Sequence, residues 1–451
     1  MSKFYLIFLF ALFALSCSDS TSTDDEDLLA RIKEIPGVEV IESAKFAHFS
    51  RSFIIDFEQP LDHNNPEGIK FKQRLYLHHA GTSKPMIFAP NGYEVDPHSV
   101  QELAITMEAN CLTVVHRFFE NARPEPMDWQ YLTIEQSAND HHHIVETFKK
   151  IYPETWMSSG ASKGGQAVLF HRRFFPSDVD ATVAYVAPIV FGINDMRPEE
   201  YLEMLGESGC FEKIKTYQRD VLRNREGVKA NLENYIAQSG LNWSLNRDLI
   251  LELAIMDYPF SFWQYHSFDC TEIPDTNVTT LVLSNHLFNV VYINSFSDYR
   301  IEYYQPYVYQ ALTETGAPGY RTDYLEDLLK EVPTGTEDNP NFSLLAPSGA
   351  DLTYNPVPIY DVNEWLNTEG NQIMYIYGGI DPWTGAAFEY TGQTDVFYDI
   401  QNGLDHGVKI SDLDNPDAAY KKLGEWLGLE ITAKLLPKLP TENELKSFRL
   451  N

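Results

Sequence analysis

The run Trp156-Met-Ser-Ser-Gly160-Ala-Ser162-Lys-Gly164-Gly165 constrains this chain more than any other stretch. Residues 154–159 read as a short strand entering it, and residues 166–175 as an amphipathic helix leaving it. Between them lies Gly-x-Ser-x-Gly. On so tight a strand-to-helix turn a serine is held in a strained conformation with its hydroxyl exposed. The flanking glycines let the strand and helix backbones pass close together. The helix start aims free N–H groups and its dipole at the space beside that hydroxyl. An ordinary Gly/Ser turn shares these letters but needs neither the strand before nor the helix after. Ser162 is therefore the expected nucleophile, and the backbone N–H of Lys163, the next residue, the expected first oxyanion donor.

A chain of 451 residues with 43% apolar content builds an ample core and has room for two or three domains. The formal net charge of −31 opposes binding to nucleic acid or anionic lipid, which need basic patches. At the N-terminus Met1-Ser-Lys3 precedes an apolar run over residues 4–15 and then Ser16-Cys17. The run is too short to span a bilayer and reads as a signal peptide. A small residue before a lone cysteine suggests a bacterial lipoprotein signal with Cys17 acylated, although Ala14 stands where leucine is usual; plain secretion is the alternative. Residues 18–45 read as an acidic tether and linker. The expected location is the outer membrane or cell surface, otherwise the periplasm or the medium, with membrane attachment only through the lipid.

In an exported protein two of the remaining cysteines can pair. Cys111 opens a buried strand-like run, so the expected pair is Cys210 with Cys270, leaving Cys111 as a core thiol. No C-x-x-C or other zinc spacing occurs. His141-His-His143 lie on a predicted helix, where consecutive side chains point to different faces and cannot share one ion, so no metal is expected.

Strands are predicted at residues 51–57, 70–77, 85–90 and 112–119, and a helix over 133–151 with Thr133 as its cap and Gln136 three residues on. Another buried strand follows at 181–186. Strands alternating with helices between residues 85 and 190 mark a mostly parallel sheet. The loop after residues 85–90 brings Gly92 and Tyr93 as candidates for the second oxyanion N–H. From residue 193 to 358 the pattern turns helical and rich in aromatics, with helices over 201–205, 211–236, 247–256 and 320–331. This segment reads as a cap domain inserted between a first part at 46–192 and a second at 359–451. In the second part strands are expected at 371–377 and 395–400, and a closing helix at 416–427.

Asp381 follows the first of these late strands, in Gly378-Gly-Ile-Asp381-Pro-Trp383, and His406 follows the next, between Asp405 and Gly407. The order Ser162, Asp381, His406 is that of an α/β-hydrolase triad. His406 is the expected general base and Asp381 the group that orients it. Among the rival acids, Asp395 and Asp399 lie at or inside a strand, and Asp405 is too close to His406 in sequence.

These residues resemble the secreted bacterial prolyl tri/tetrapeptidyl aminopeptidases and, more distantly, prolyl carboxypeptidase and dipeptidyl peptidase II. The resemblance rests on Gln59-Pro-Leu-Asp-His63, His116-Arg-Phe-Phe119, Arg123-Pro-Glu-Pro126, Tyr131-Leu-Thr-Ile-Glu-Gln136, Gly160-Ala-Ser-Lys-Gly-Gly165, His171-Arg-Arg-Phe-Phe-Pro176 and Asp381-Pro-Trp383. In the cap, Tyr309-Gln310 with Thr313-Glu314 and Gly316 is similar to a run of the distant relatives. Val115 departs from their usual glutamate. The resemblance implies a serine acyl-enzyme with no cofactor, peptide substrates, and cleavage after proline near a peptide N-terminus. A free α-amine needs a carboxylate, and Glu314 is the candidate, with a structural role at a helix end as its rival. Other readings are an esterase or lipase on the same fold, a prolyl dipeptidyl- or carboxypeptidase, and a catalytically dead peptide-binding lipoprotein. Peptide length and oligomeric state are left open.

Overall fold

A computed structural model describes residues 27–432, apart from 47, 207–208, 266–268 and 335–338. The expected signal peptide and Cys17 lie outside the described residues. Much of the segment read as a tether is folded. Helix α1 (Leu28–Lys33) buries Leu28 and Ile32 completely, and strand β1 (Val38–Ser43) adds an antiparallel edge to β2 (Arg51–Pro60). The i,i+4 pair Leu28/Ile32 supplies the apolar contact that acidic neighbours obscure in composition.

After β2 come β3 (Lys70–His79), β4 (Met86–Pro90), α2 (Glu102–Thr106), β5 (Asn110–Val114), α3 (Ile134–Phe148), β6 (Trp156–Ala161), α4 (Lys163–Phe174) and β7 (Ala181–Tyr185). The chain then leaves the sheet for α5 (Arg197–Leu202), α6 (Cys210–Arg223), α7 (Arg225–Ser239), α8 (Arg247–Gln264), α9 (Thr280–Val290), α10 (Asp298–Gln310) and α11 (Pro340–Ser343). It returns through α12 (Val357–Thr368), β8 (Ile373–Gly378), β9 (Val396–Gln401) and α13 (Pro416–Leu427). The nine strands lie in the order β1-β2-β3-β5-β4-β6-β7-β8-β9. They are antiparallel as far as the β3–β5 pairing and parallel beyond it. Every residue of β4, β5, β7 and β8 is buried, as befits a parallel sheet covered on both faces. This is the expected α/β-hydrolase architecture. The helices between β7 and β8 enclose a core of their own around Ile214, Tyr217, Leu253, Tyr258 and Leu287.

Several element bounds differ from the sequence expectation. Residues 320–331, expected as a helix, are mostly turns. Buried Glu252 accepts the N–H groups of Lys330, Glu331 and Val332 at 2.9, 2.9 and 2.8 Å, which offers that backbone an alternative to helical bonds. The strand expected to reach residue 119 stops at Val114, and Phe118 has φ 71°. The run over 211–236 breaks at Asn224. Conversely, α8 continues past Met256 and through Pro259 to Gln264, burying Phe260, Phe262 and Trp263. Cys210, at the start of α6, is disulfide-bonded to Cys270 beyond α8, and Cys111 is a buried free thiol.

Three of the strings that carry the family resemblance, at residues 59–63, 116–119 and 131–136, meet in one buried polar network. Arg117, fully buried, donates Nε to Asp140 Oδ2 at 2.7 Å and Nη2 to Oδ1 at 2.9 Å. Its Nη1 reaches the carbonyls of Leu61 and Tyr131 at 3.2 and 2.5 Å. His63 Nε2 meets Asp140 Oδ1 at 2.7 Å, and Gln136 bridges the His63 N–H and Asp62 Oδ1. Although burial opposes ionisation, Arg117 and His63 hold the Asp140 carboxyl below its ordinary range. Removing one partner of such a pair strands a buried charge and costs about 3–5 kcal/mol. Asp140→Asn is therefore expected to lower the urea midpoint by that free energy with the m-value unchanged; an unaltered unfolding curve would show that the network adds nothing to stability.

Candidate active site

Ser162 stands between β6 and α4 with φ 56° and ψ −126°, a strained conformation for any residue but glycine. Its N–H donates to Tyr185 O and its carbonyl accepts from Gln166 N, both at 2.9 Å, so the turn is tied to β7 and to its own helix. A Cβ on Gly160 would lie 2.3 Å from Gly164 O, and one on Gly165 2.7 Å from Ala187 Cβ; only glycine permits this crossing. The Ser162 side chain is half-buried, and the N–H of Lys163, first in α4, has no acceptor within the helix.

Asp381 follows β8 and is fully buried. Its Oδ1 accepts the Trp383 N–H at 3.0 Å, and its Oδ2 lies 2.6 Å from His406 Nδ1. Burial pushes its carboxyl up, while His406 and the Trp383 N–H oppose that shift. His406, on the loop after β9, donates its backbone N–H to Gln264 O at the end of α8 (2.9 Å), and the Tyr265 ring meets its imidazole edge-on at 5.9 Å. His406 Nε2 is buried and has no hydrogen-bond partner among the described residues. The three residues thus stand at the carboxyl ends of β6, β8 and β9, where open parallel sheets carry their sites. An imidazole held by a buried carboxylate through one nitrogen and free at the other is equipped to take a proton from a hydroxyl. Two of the rival acids are used elsewhere. Asp405 Oδ1 accepts the Gly407 N–H at 2.8 Å, and Asp395 meets Lys422 and Trp426, both at 2.7 Å.

The loop after β4 lies against the start of α4, because a Cβ on Gly92 would fall 2.4 Å from Lys163 Cβ. In this structure the N–H groups of Gly92 and Tyr93 are not free. Both donate to Asn91 Oδ1, at 2.7 and 3.2 Å. The sequence reading did not foresee this role of Asn91, though Asx side chains commonly bond the backbone just after them. It also did not assign a role to the Lys163 side chain, which is buried with Nζ 2.5 Å from Gln310 Oε1; burial pulls its amine down to about 7. This contact joins the elbow to the end of α10.

Glu314 lies on a π-helical turn, Ala311–Thr315, continuing α10. Its Oε2 accepts the Ile134 N–H at 2.6 Å at the start of α3, where Thr133 Oγ1 accepts Gln136 N at 3.1 Å. The carboxylate thus caps the positive end of a helix, the rival role that the sequence left open. The triplet His141-His-His143 does disperse. His141 packs on His171 at 5.9 Å, His142 Nδ1 meets Asp178 at 2.8 Å, and His143 Nδ1 meets Gln59 Oε1 at 2.8 Å.

Comparison with known proteins places the chain in a peptidase family. The family model for PS-10 peptidase S37 matches residues 22–440. A prolyl tri/tetrapeptidyl aminopeptidase of Streptomyces mobaraensis is 30% identical over 420 residues, covering 91% of this chain and 87% of that protein. Two solved structures are similar at a lower level. A proline iminopeptidase of Mycobacterium smegmatis has a TM-score of 0.39 at 11% identity, covering 87% of this chain and 99% of its own. An acetyl xylan esterase of Paenibacillus sp. R4 has a TM-score of 0.37 at 8% identity, covering 89% and 92%. The family match extends over nearly the whole chain, and with the full-length relative it identifies this protein as a serine peptidase belonging to the PS-10 peptidase S37 family.

Proposed function

We propose that this peptidase releases short N-terminal fragments, tripeptides foremost, after proline through an acyl-enzyme on Ser162. The observation that carries the reading is the buried Asp381–His406 pair, 2.6 Å apart, with Nε2 of the imidazole unpartnered among the described residues and at the same carboxyl end of the sheet as the strained Ser162. The prolyl preference and fragment length come from the similarity to the Streptomyces mobaraensis aminopeptidase.

The steps follow from the residues. His406 Nε2 takes the Ser162 hydroxyl proton as Oγ attacks the carbonyl carbon of the proline. Asp381 holds the tautomer with Nδ1 protonated and stabilises the imidazolium. The oxyanion is met by the Lys163 N–H and by that of Gly92 or Tyr93, from which it displaces the Asn91 oxygen. Collapse breaks the C–N bond, and His406 gives its proton to the departing amine. Water, deprotonated by His406, then cleaves the ester and restores Ser162. No cofactor enters the scheme. Ser162→Ala is expected to abolish fluorophosphonate labelling and turnover of a free-amine Ala-Ala-Pro chromogenic substrate. Asp381→Asn should lower kcat by on the order of 10⁴-fold, whereas Asp405→Asn keeps near wild-type turnover. Activity surviving Asp381→Asn but lost in Asp405→Asn would reverse the assignment of the acid, and ester cleavage without peptide cleavage would make the chain an esterase.

Glu314 serves the helix end rather than the substrate amine in this reading. Burial pushes its carboxyl from the ordinary 4.5 up to about 7, against the Ile134 N–H, with Glu135 adding to the rise. The unfolded chain ionises there first, so the wild type loses stability as pH rises from about 4.5 through 7. Glu314→Gln lacks that loss, and its unfolding free energy relative to wild type should climb over this interval, with the KM ratio of free-amine to N-blocked peptides unchanged. A pH-independent difference, or a changed ratio, would return Glu314 to the amine site.

We also propose export as a lipoprotein, from the apolar run at residues 4–15 ahead of Cys17. The Cys210–Cys270 disulfide favours an oxidising compartment. Among the described residues no helix is long and apolar enough to cross a membrane. On expression in a Gram-negative host, Cys17→Ser should move the protein from the membrane fraction to the soluble one; equal partitioning of both forms would remove the lipid anchor from the account.

A further inference from the structure

The second half of α8 is buried on most sides. Tyr258, Pro259, Phe260, Phe262 and Trp263 are all closed to solvent. Asp257, Ser261, Gln264 and the following Tyr265 are the half-buried residues. Their spacing of four, three and one places them along one stripe of the helix. The stripe ends at the triad, where Gln264 O holds the His406 N–H at 2.9 Å and Tyr265 packs on the imidazole.

Aromatic side chains link the start of the stripe to the same site. Tyr93, beside the oxyanion loop, has its ring 5.8 Å from Tyr307 of α10. The charge of Asp257 in turn bears on the hydroxyls of Tyr307 and Tyr320. Phe260, three residues after Asp257, lies 6.0 Å from Tyr320 and 5.4 Å from Trp383, which follows the triad aspartate by two. The start of the stripe therefore lies near Tyr307, which meets Tyr93, while the adjoining buried face of α8 packs on the Asp381 loop through Phe260.

Asp257 stands without a counter-charge among the described residues. Its Oδ2 accepts the Ser261 hydroxyl at 2.7 Å. Burial pushes its carboxyl up. A carboxylate removed from water without a counter-charge is costly, and a bound cation would offset that cost. Nearby tyrosine rings also suit an ammonium group.

Distance along the helix matches a peptide length. From Asp257 to Gln264 or Tyr265 is seven or eight residues, about 10–12 Å at 1.5 Å per residue. Three residues of extended peptide span about 10–11 Å, and two only about 7 Å. We infer that Asp257 binds the free α-ammonium of the substrate and that the half-buried stripe of α8 measures three residues back from Ser162. This rests on the prolyl aminopeptidase reading and adds the residue that sets fragment length. The amine recognised is that of the third residue before the scissile bond, and the ring-lined stripe carries the residues between.

The test uses the full chain, wild type and Asp257→Asn, with free-amine Ala-Ala-Pro and Ala-Pro chromogenic substrates and N-acetylated Ala-Ala-Pro. The rate of fluorophosphonate labelling at Ser162 reports that the variant's site is folded. The wild type should favour the free-amine tripeptide over both other substrates. In Asp257→Asn the ratio of kcat/KM for free over acetylated tripeptide should fall on the order of 10²-fold, chiefly through KM, and Asp257→Glu should restore part of it. A ratio unchanged in Asp257→Asn while wild type still prefers the free amine overturns the inference and leaves the prolyl reading intact. A wild type that cleaves no free-amine peptide overturns both.

Discussion

The backbones of β6 and α4 cross so closely at Gly160 and Gly164 that no side chain fits between them, and the rest of the site depends on that approach. It holds Ser162 at φ 56° on the turn between strand and helix. Gly165, against Ala187 and the Tyr185 carbonyl, locks the helix to β7. Gly92, resting on Lys163, locks the oxyanion loop to the helix. A strained turn costs on the order of 1–3 kcal/mol and persists only where its surroundings over-determine it. Here the surroundings are the buried strands β4, β7 and β8 of the parallel sheet, with hydrogen bonds on both sides of the serine.

Ser162 and Asp381 lie in strings that carry the resemblance, but a large share of it rests on residues outside the chemistry. Gln59, Asp62, His63, Arg117, Tyr131 and Gln136 belong to strings that identify the family, yet they meet around Asp140 in a network that includes none of Ser162, Asp381 and His406. That network anchors the N-terminal half of α3 to β2 and to the segment after β5. Such an ion pair needs all its partners present together, because each unsatisfied member would carry its own desolvation cost. This explains why long strings, rather than isolated positions, mark the chain.

The inserted helices are joined to the chemistry at a few points. The last turn of α8 holds the His406 backbone, Gln310 holds the Lys163 amine, and Glu314 caps α3. Each contact runs from the cap to an element next to Ser162 or His406. These hydrogen bonds tie the inserted helices to the His406 loop, to Lys163 and to the start of α3. Its position is set by its own core and by these polar ties, with the Cys210–Cys270 bond closing the segment around α8.

By itself the sequence determined the order of elements, the parallel sheet, the elbow serine, and the late acid and histidine. Periodicity, turn residues and chain order are local or one-dimensional signals, and the apolar runs at β4 to β8 are strong ones. The thiol pairing also followed, because Cys111 sits in such a run. Tertiary structure alone decided the rest. Residues 28–43 became helix and edge strand because Leu28 and Ile32 found a core to enter, which an acidic composition does not disclose. The turns near 320–331 were set by Glu252, nearly 80 residues away in the chain. Asn91 took the N–H groups of Gly92 and Tyr93, and Glu314 went to a helix end, since a carboxylate's partner depends on what folding brings within hydrogen-bond reach. Asp257 showed nothing in the sequence beyond an acid in an apolar helix; only the packing of every other face of α8 left it on the stripe that leads to His406.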